Sequence, residues 1–375
     1  PTLFPNRSAG EQMVASADYL RRYSDPAYLT KVTPRFRSEV ASFVRQLDES
    51  GTLALLRRER YGADISGPIY GLHSQALVLQ GLRAMADVWA HDGYPLLAAD
   101  ATQAADRLDA GLRAAVATAQ VQLGDGSLFV PIALVDGSEH PFDSITASKR
   151  GSYWNLVMPY VLASGFIRPH TGVVNPGYQK PGTDDVYGTN VSRFLADEDQ
   201  PDQLDLSLYG KLAAGMTEDT FVAGEGSTLL PTAGQYYRWM FRPPNSANNA
   251  FFLETLRLLV VHETGDAAGV PTGLELAYAT PRPWLAPGKQ ISVQRLQTHF
   301  GPLSYEIDTA AGSVHAAIDL PSGFAGTLRL RLRLPPGEQL GATKVNGLAF
   351  HSFVDAETLD LSGRSGHIEV AAAVK

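Results

Sequence analysis

Thr327-Leu328-Arg329-Leu330-Arg331-Leu332-Arg333-Leu334 alternates strictly between leucine and arginine after its first residue. Successive side chains of a strand point to opposite faces, so the stretch puts four leucines on one side of a sheet and three arginines on the other. It reads as a half-buried strand with one wet face, which is the antiparallel pattern. The leucine face is too apolar to be left in water. Around it, further strands are legible at about 302–308, 312–319, 341–345 and 366–373. Ala311-Gly312, Pro321-Ser322-Gly323, Pro335-Pro336-Gly337, Asn346-Gly347 and Ser362-Gly363 supply the turns between them. Short strands at this spacing predict a sandwich.

Towards the N-terminus the period changes near residue 265. Ile69, Leu72, Ala76, Leu79, Leu82, Ala86 and Trp89 step by three or four, the mark of one buried helix face. Leu97, Ala101, Ala104, Leu108, Leu112 and Val116 continue the pattern between Pro95 and Gln120. Other helices are expected at about 9–23, 35–49, 150–164, 201–213 and 247–263, with Pro201 and Asp205 in a first turn. Short connections favour antiparallel helix pairs. The expected organisation is a helical domain, 1–265, followed by an antiparallel β-sandwich domain, 266–375. One stretch fits neither: 167–183 has no period and carries three prolines and three glycines. It is either a long surface loop or a place where the chain lacks residues.

Composition narrows the function. The 375 residues are 44% hydrophobic and 19% charged, enough apolar material for a packed core. A net charge of -8 and only short basic runs argue against nucleic acid as a partner. No apolar run approaches the roughly 20 residues of a membrane span. With no cysteine, disulfides, thiolate metal sites and a cysteine nucleophile are excluded. The histidines, His262-Glu263 included, show no metal-ligand spacing, and no Rossmann fingerprint, P-loop or nucleophile elbow is present. Neither metal nor cofactor is therefore expected. Pro1-Thr2-Leu3-Phe4-Pro5 has no basic-then-apolar leader, and a secreted or periplasmic enzyme whose signal peptide lies outside this chain is the expectation.

The chemistry-bearing residues cluster between 150 and 255. Tyr153, Trp154 and Asn155 combine two aromatic rings and an amide at a helix entry, either as core or as the wall of a ligand site. Gly182-Thr183-Asp184-Asp185-Val186-Tyr187-Gly188 carries adjacent acids, either as a helix cap or with one aspartate facing a cleft. In Ala223-Gly224-Glu225-Gly226 a lone glutamate stands between glycines. Its apolar neighbours Phe221, Val222, Leu229 and Leu230 are expected to desolvate it, as a proton donor needs. Tyr236-Tyr237-Arg238-Trp239-Met240-Phe241-Arg242 is dense in rings and guanidinium groups, suited to stacking on pyranoses and binding hydroxyls or a uronate. An Asn cap is expected at Asn248 or Asn249.

This organisation resembles the bacterial (α/α)-barrel carbohydrate-active enzymes, a helical toroid of the (α/α)6 type followed by a small β-sandwich. Gly-Ser-Tyr-Trp-Asn-Leu-Val-Met-Pro-Tyr (151–160), Gly-Thr-Asp-Asp-Val-Tyr-Gly (182–188) and Phe-Val-Ala-Gly-Glu (221–225) look like phrases of uncharacterised actinobacterial members. The resemblance implies a glycoside hydrolase acting on a plant or microbial oligo- or polysaccharide across the mouth of the toroid. Two carboxylates then flank the scissile bond, about 6.5–9.5 Å apart for inversion, the expected outcome. Glu225 is expected to donate the proton and Asp184 to act as base, with Asp185 as substitute. Tyr153, Trp154, Asn155, Tyr187, Tyr236, Tyr237, Arg238, Trp239 and His73 are the expected substrate-binding residues. A polysaccharide lyase on the same fold is the alternative, with a Tyr or His base and Arg238 or Asn155 neutralising a uronate carboxylate. A non-catalytic glycan-binding protein is the second alternative. Few aromatics lie in the sandwich, so it is read as structural.

Overall fold

The computed structural model describes residues 3–62, 65–124, 126, 128–135, 157–158, 160–162, 164–167, 188–233, 235–266 and 270–375; for 66, 188–191, 214, 228–232 and 235–238 it describes the backbone only. The chain divides into two compact units, Pro1–Gln179 with Ala267–Val270, and Lys180–Asp266 with Pro271–Lys375. The sequence reading placed the boundary at 265, where the residue period changes.

The first unit is mostly helical. Its helices α1 (Pro5–Tyr23), α2 (Pro26–Glu49) and α4 (Pro95–Ala119) each begin on a proline, which lacks the N–H that a first turn leaves unpaired. Asp25 caps α2 by accepting from the Ala27 and Tyr28 amides at 3.0 and 2.9 Å. The central helix is α3 (Leu72–His91), in which fifteen of twenty residues are buried, so it is apolar on nearly every face. Helices α1 and α3 touch through glycines. A Cβ on Gly81 would lie 2.7 Å from the Gly10 carbonyl, and one on Gly10 would lie 2.8 Å from the Val78 Cα. Met13, Phe43, Tyr61, Met85 and Trp89 fill the core around them. Ile69, expected in the helix, ends a hairpin of β1 (Glu59–Gly62) and β2 (Ile65–Ile69). The short strands β3 (Val121–Gln122) and β4 (Leu128–Phe129) pair as well.

The second unit begins with α5 (Gly188–Asp197) and α6 (Pro201–Gly210), followed by a π-helical turn, Lys211–Gly215. A hairpin of β5 (Gly226–Thr232) and β6 (Gln235–Phe241) leads to α7 (Ser246–Val260). Helix α7 runs directly into β7 (Val261–Gly265). Its last carbonyls are taken by the Thr280 hydroxyl on Leu259 O (2.6 Å) and by Tyr305 Oη on Val260 O (2.8 Å).

The sandwich follows. One sheet has the order β14-β13-β16-β11-β10-β9, made of β9 (Gln290–Thr298), β10 (Gly301–Ala310), β11 (Ser313–Asp319), β13 (Leu340–Val345), β14 (Leu348–Ala349) and β16 (His367–Val374). The other has the order β15-β12-β8-β7, with β8 (Pro271–Leu276), β12 (Thr327–Arg331) and β15 (Thr358–Asp360). Leu274, Leu276, Leu328, Leu330, Ile307, Ile318 and Val370 pack into one core, each essentially sealed from solvent. An all-antiparallel sandwich is corrected in one place. Strands β8 and β12 pair in parallel, because the chain leaves this sheet after β8, builds β9–β11 in the other, and returns.

The wet arginine face is corrected too. Arg329 stays 42% exposed, but the side chains of Arg331 and Arg333 are only 14% and 10% exposed and both pair with Asp199, just beyond α5. Beside them, His262 on β7 places Nε2 3.0 Å from Asp197 and Nδ1 2.9 Å from Glu275, and Glu275 also accepts from Arg329. Leu204, Leu208, Leu259 and Ala279 give α5–α7 a small core of their own. By their contacts these helices fall in one unit with the sandwich, which begins at Lys180. Among the described residues the two units supply seven α-helices, fewer than a ring of six pairs needs, and none is long and apolar enough to cross a membrane.

Candidate functional site

The expected carboxylate Glu225 lies in the second unit, at the foot of the β5–β6 hairpin. The loop before it is tightly specified. Met216 bridges to Ala223, and Thr217 closes the turn by accepting from Val222 N at 2.9 Å, with Asp219 and Phe221 both at positive φ. Asparagines of α7 then hold the loop from the other side. Asn249 accepts from Ala223 N (3.1 Å) and donates to Phe221 O (2.6 Å), while Asn248 donates to Gly224 O (2.6 Å). The cap of α7 is Asn245, whose Oδ1 accepts from Asn248 N at 2.9 Å, so the expected caps are shifted and those two side chains are free to clamp the loop. Gly224 is required because a Cβ there would sit 2.8 Å from Phe241 O. Glu225 N donates to the same carbonyl at 2.7 Å, fixing the glutamate against the end of β6.

Around Glu225 the hairpin exposes aromatic surface. Trp239 is 52% and Phe241 38% exposed, with ring centroids 5.8 Å apart and planes inclined by 35°. Arg242 lies over Phe241 at 4.6 Å and its Nη1 is 3.3 Å from Glu225 Oε2. Among the described side chains the expected apolar surround of Glu225 is not found: its side chain is 36% exposed, Phe221 turns 53% of its surface to water, and a guanidinium stands alongside, while Leu229 and Leu230 are described only as backbone. Among the described residues Arg242 is the group that pairs with this carboxylate.

The other expected residues divide into two groups. Asp184, Asp185, Tyr153, Trp154, Asn155 and Tyr187 lie outside the described residues, and Tyr236, Tyr237 and Arg238 are described only as backbone of β6. His73 lies in the first unit, at the start of α3, and is completely buried. Burial, with a smaller contribution from Arg7, pushes its imidazole down to about 3, making it a neutral core histidine with no surface open to a substrate.

Glu59, which the sequence reading passed over, is also buried, and burial raises its carboxyl above the usual range. Its oxygens accept from the Asn6 and Arg7 amides at 2.5 and 3.3 Å, so it caps α1. Phe241 and Arg242 end the aromatic run read above as a binding stretch, although neither was among the expected substrate-binding residues. The period-two step from Trp239 to Phe241 was the available signal, obscured by the apolar Met240 between them. No group of three His, Asp or Glu side chains among the described residues is placed to hold a metal.

No family model matches the chain, and no curated protein matches it. Among solved structures it is similar to an α-L-rhamnosidase from Dictyoglumus thermophilum, with 10% identity over 95% of this chain and 38% of that one and a TM-score of 0.45. It is also similar to a GH78 family rhamnosidase of Bacillus sp. GL1 (15% identity, 84% of this chain, 30% of that one, TM-score 0.47). A third is Ara127N, a GH127 β-L-arabinofuranosidase from Geobacillus stearothermophilus T6 (14%, 99%, 62%, TM-score 0.32). These neighbours are glycoside hydrolases. The chain spans about a third of the length of the two rhamnosidases. At TM-scores below 0.5 the likenesses transfer no residue, substrate or activity to this chain.

Proposed function

We propose that the chain is part of a glycoside hydrolase, secreted or periplasmic, that cleaves an oligo- or polysaccharide at the foot of the β5–β6 hairpin. The observation that carries this reading is the Glu225–Arg242 pair at the end of an exposed Trp239–Phe241 ring pair. Exposed rings offer flat apolar faces to a pyranose, and the carboxylate and guanidinium offer an acceptor and donors to its hydroxyls. Open to solvent and beside Arg242, Glu225 takes the part of the base that activates water. Asp184, or Asp185 in its place, supplies the proton to the leaving oxygen, and inversion is the outcome.

Arg242 also favours a second reading. Its side chain is 73% exposed beside the rings, suited to meeting a uronate carboxylate, which a polysaccharide lyase must neutralise before a tyrosine removes the adjacent proton. One assay separates the two. A panel of neutral and uronate-containing glycans is followed by reducing ends and by ultraviolet absorbance. New reducing ends without absorbance support hydrolysis, rising absorbance from unsaturated products supports elimination, and binding without either makes the protein a glycan-binding module.

A further inference from the structure

The second unit carries a groove of about 650 Å³, far from the residues used above in sequence, between the segment that follows β12 and the 355–357 turn. That volume lies within the roughly 300–1,000 Å³ usual for small-ligand sites. Pro335, Pro336 and Leu340 give it apolar walls. Its polar groups are of both kinds and are held in place by the protein. Arg282 donates to Leu334 O and to Glu357 Oε1, each at 2.5 Å. Arg331 pairs with Asp199 at 2.9 Å and lies over the Tyr278 ring, and its buried Nε has no partner. Asp355 is fixed by the Glu357 amide at 2.8 Å and the Thr358 hydroxyl at 3.0 Å. Glu338 and Gln339 also line the groove, and among the described residues Glu338 has no ion pair.

Charge decides the class of ligand. An anion in this groove meets the carboxylates of Glu338, Asp355 and Glu357, and a cation meets the guanidinium groups of Arg282 and Arg331. A neutral polyol satisfies both sets, because each hydroxyl donates to a carboxylate and accepts from an arginine or amide, while its C–H face rests on the prolines. We propose that this groove is a binding site for a neutral saccharide, separate from the hairpin foot and independent of whether the hydrolase reading holds.

The test is titration of the full chain with cellotriose, xylotriose and mannotriose by calorimetry. The Ala356→Trp variant fills the groove from an exposed lining position. At least one trisaccharide is expected to bind, and Ala356→Trp to weaken it about tenfold or more. Should Ala356→Trp lower the unfolding midpoint, the double variant Glu338→Ala/Gln339→Ala, which removes two side chains without ion pairs, is expected to give the same loss. Three results overturn the proposal: no trisaccharide binds, both groove variants bind normally, or galacturonate or glucosamine oligomers bind the groove more tightly than neutral ones.

Discussion

Strands β12 and β6 both carry large apolar side chains two residues apart, yet they do opposite things with them. In β12 Leu328 and Leu330 are completely buried, with a strand bonded on each side and a second sheet facing them. Strand β6 belongs to a two-stranded ribbon, and its Trp239 and Phe241 remain 52% and 38% exposed. A two-stranded ribbon has little hydrophobic support of its own. Here it is held instead by asparagines from α7 and by the backbone bond from Glu225 to Phe241. These rings, kept in water on a firmly anchored ribbon, are what the proposed saccharide site rests on.

The contrast can be broken at its strongest point first. Leu330→Ala removes a fully buried side chain from the sandwich core and is expected to cost about 2–5 kcal/mol, measured by denaturant unfolding. A cost comparable to that of a surface substitution would mean that the sandwich core is not where β12 places it.

Next comes the charge network behind the same sheet. Burial alone would lower the His262 imidazole, but hydrogen bonds and charge from Asp197 and Glu275 outweigh it and raise the group to about 9 from 6.5. A raised value means that the protonated form stabilises the fold. The contribution, of the order of 3 kcal/mol, is complete below about pH 6.5 and lost as pH rises through about 9. Unfolding midpoints across this window should fall in the wild type, and His262→Gln should flatten the slope.

Gly224→Ala sharpens the comparison from the hairpin side. The added methyl meets Phe241 O at 2.8 Å, so a loss of about 1–3 kcal/mol is expected, together with weaker saccharide binding as Glu225 shifts. Smallest of all is the effect of Trp239→Ala on stability, within about 0.5 kcal/mol because the ring is half exposed. Its saccharide affinity should nevertheless fall about tenfold, a gap that calorimetry beside thermal unfolding would reveal.

The sequence disclosed the sandwich better than the site. Strands β10, β11, β13 and β16 were legible because a half-buried strand alternates and turn residues bound it. Strand β7 was not, since Val260 and Val261 continue the apolar run of α7 with no glycine or proline where helix becomes strand. The boundary at 265 followed the period of the residues. Packing follows contacts instead, and Leu204, Leu208 and Leu259 tie the three preceding helices to the sandwich unit. At the site, Gly224 beside Glu225 lies against Phe241 O, a close approach that a glycine allows. Apolar neighbours in sequence were a poor guide to burial, since the turn through Asp219 and Phe221 swings Phe221 outward. His73 misled for a related reason: on an apolar helix face it is buried and held neutral, with its Nδ1 left without a partner.

The most direct test of the carbohydrate site is the turnover of Glu225→Gln on whichever glycan the wild type cleaves. A fall in kcat/KM of about 10²–10⁴, with an unchanged unfolding midpoint, is the result expected of a carboxylate taking part in proton transfer. Wild-type turnover in that variant would remove Glu225 from the chemistry and leave the hairpin as a place where sugars, at most, rest.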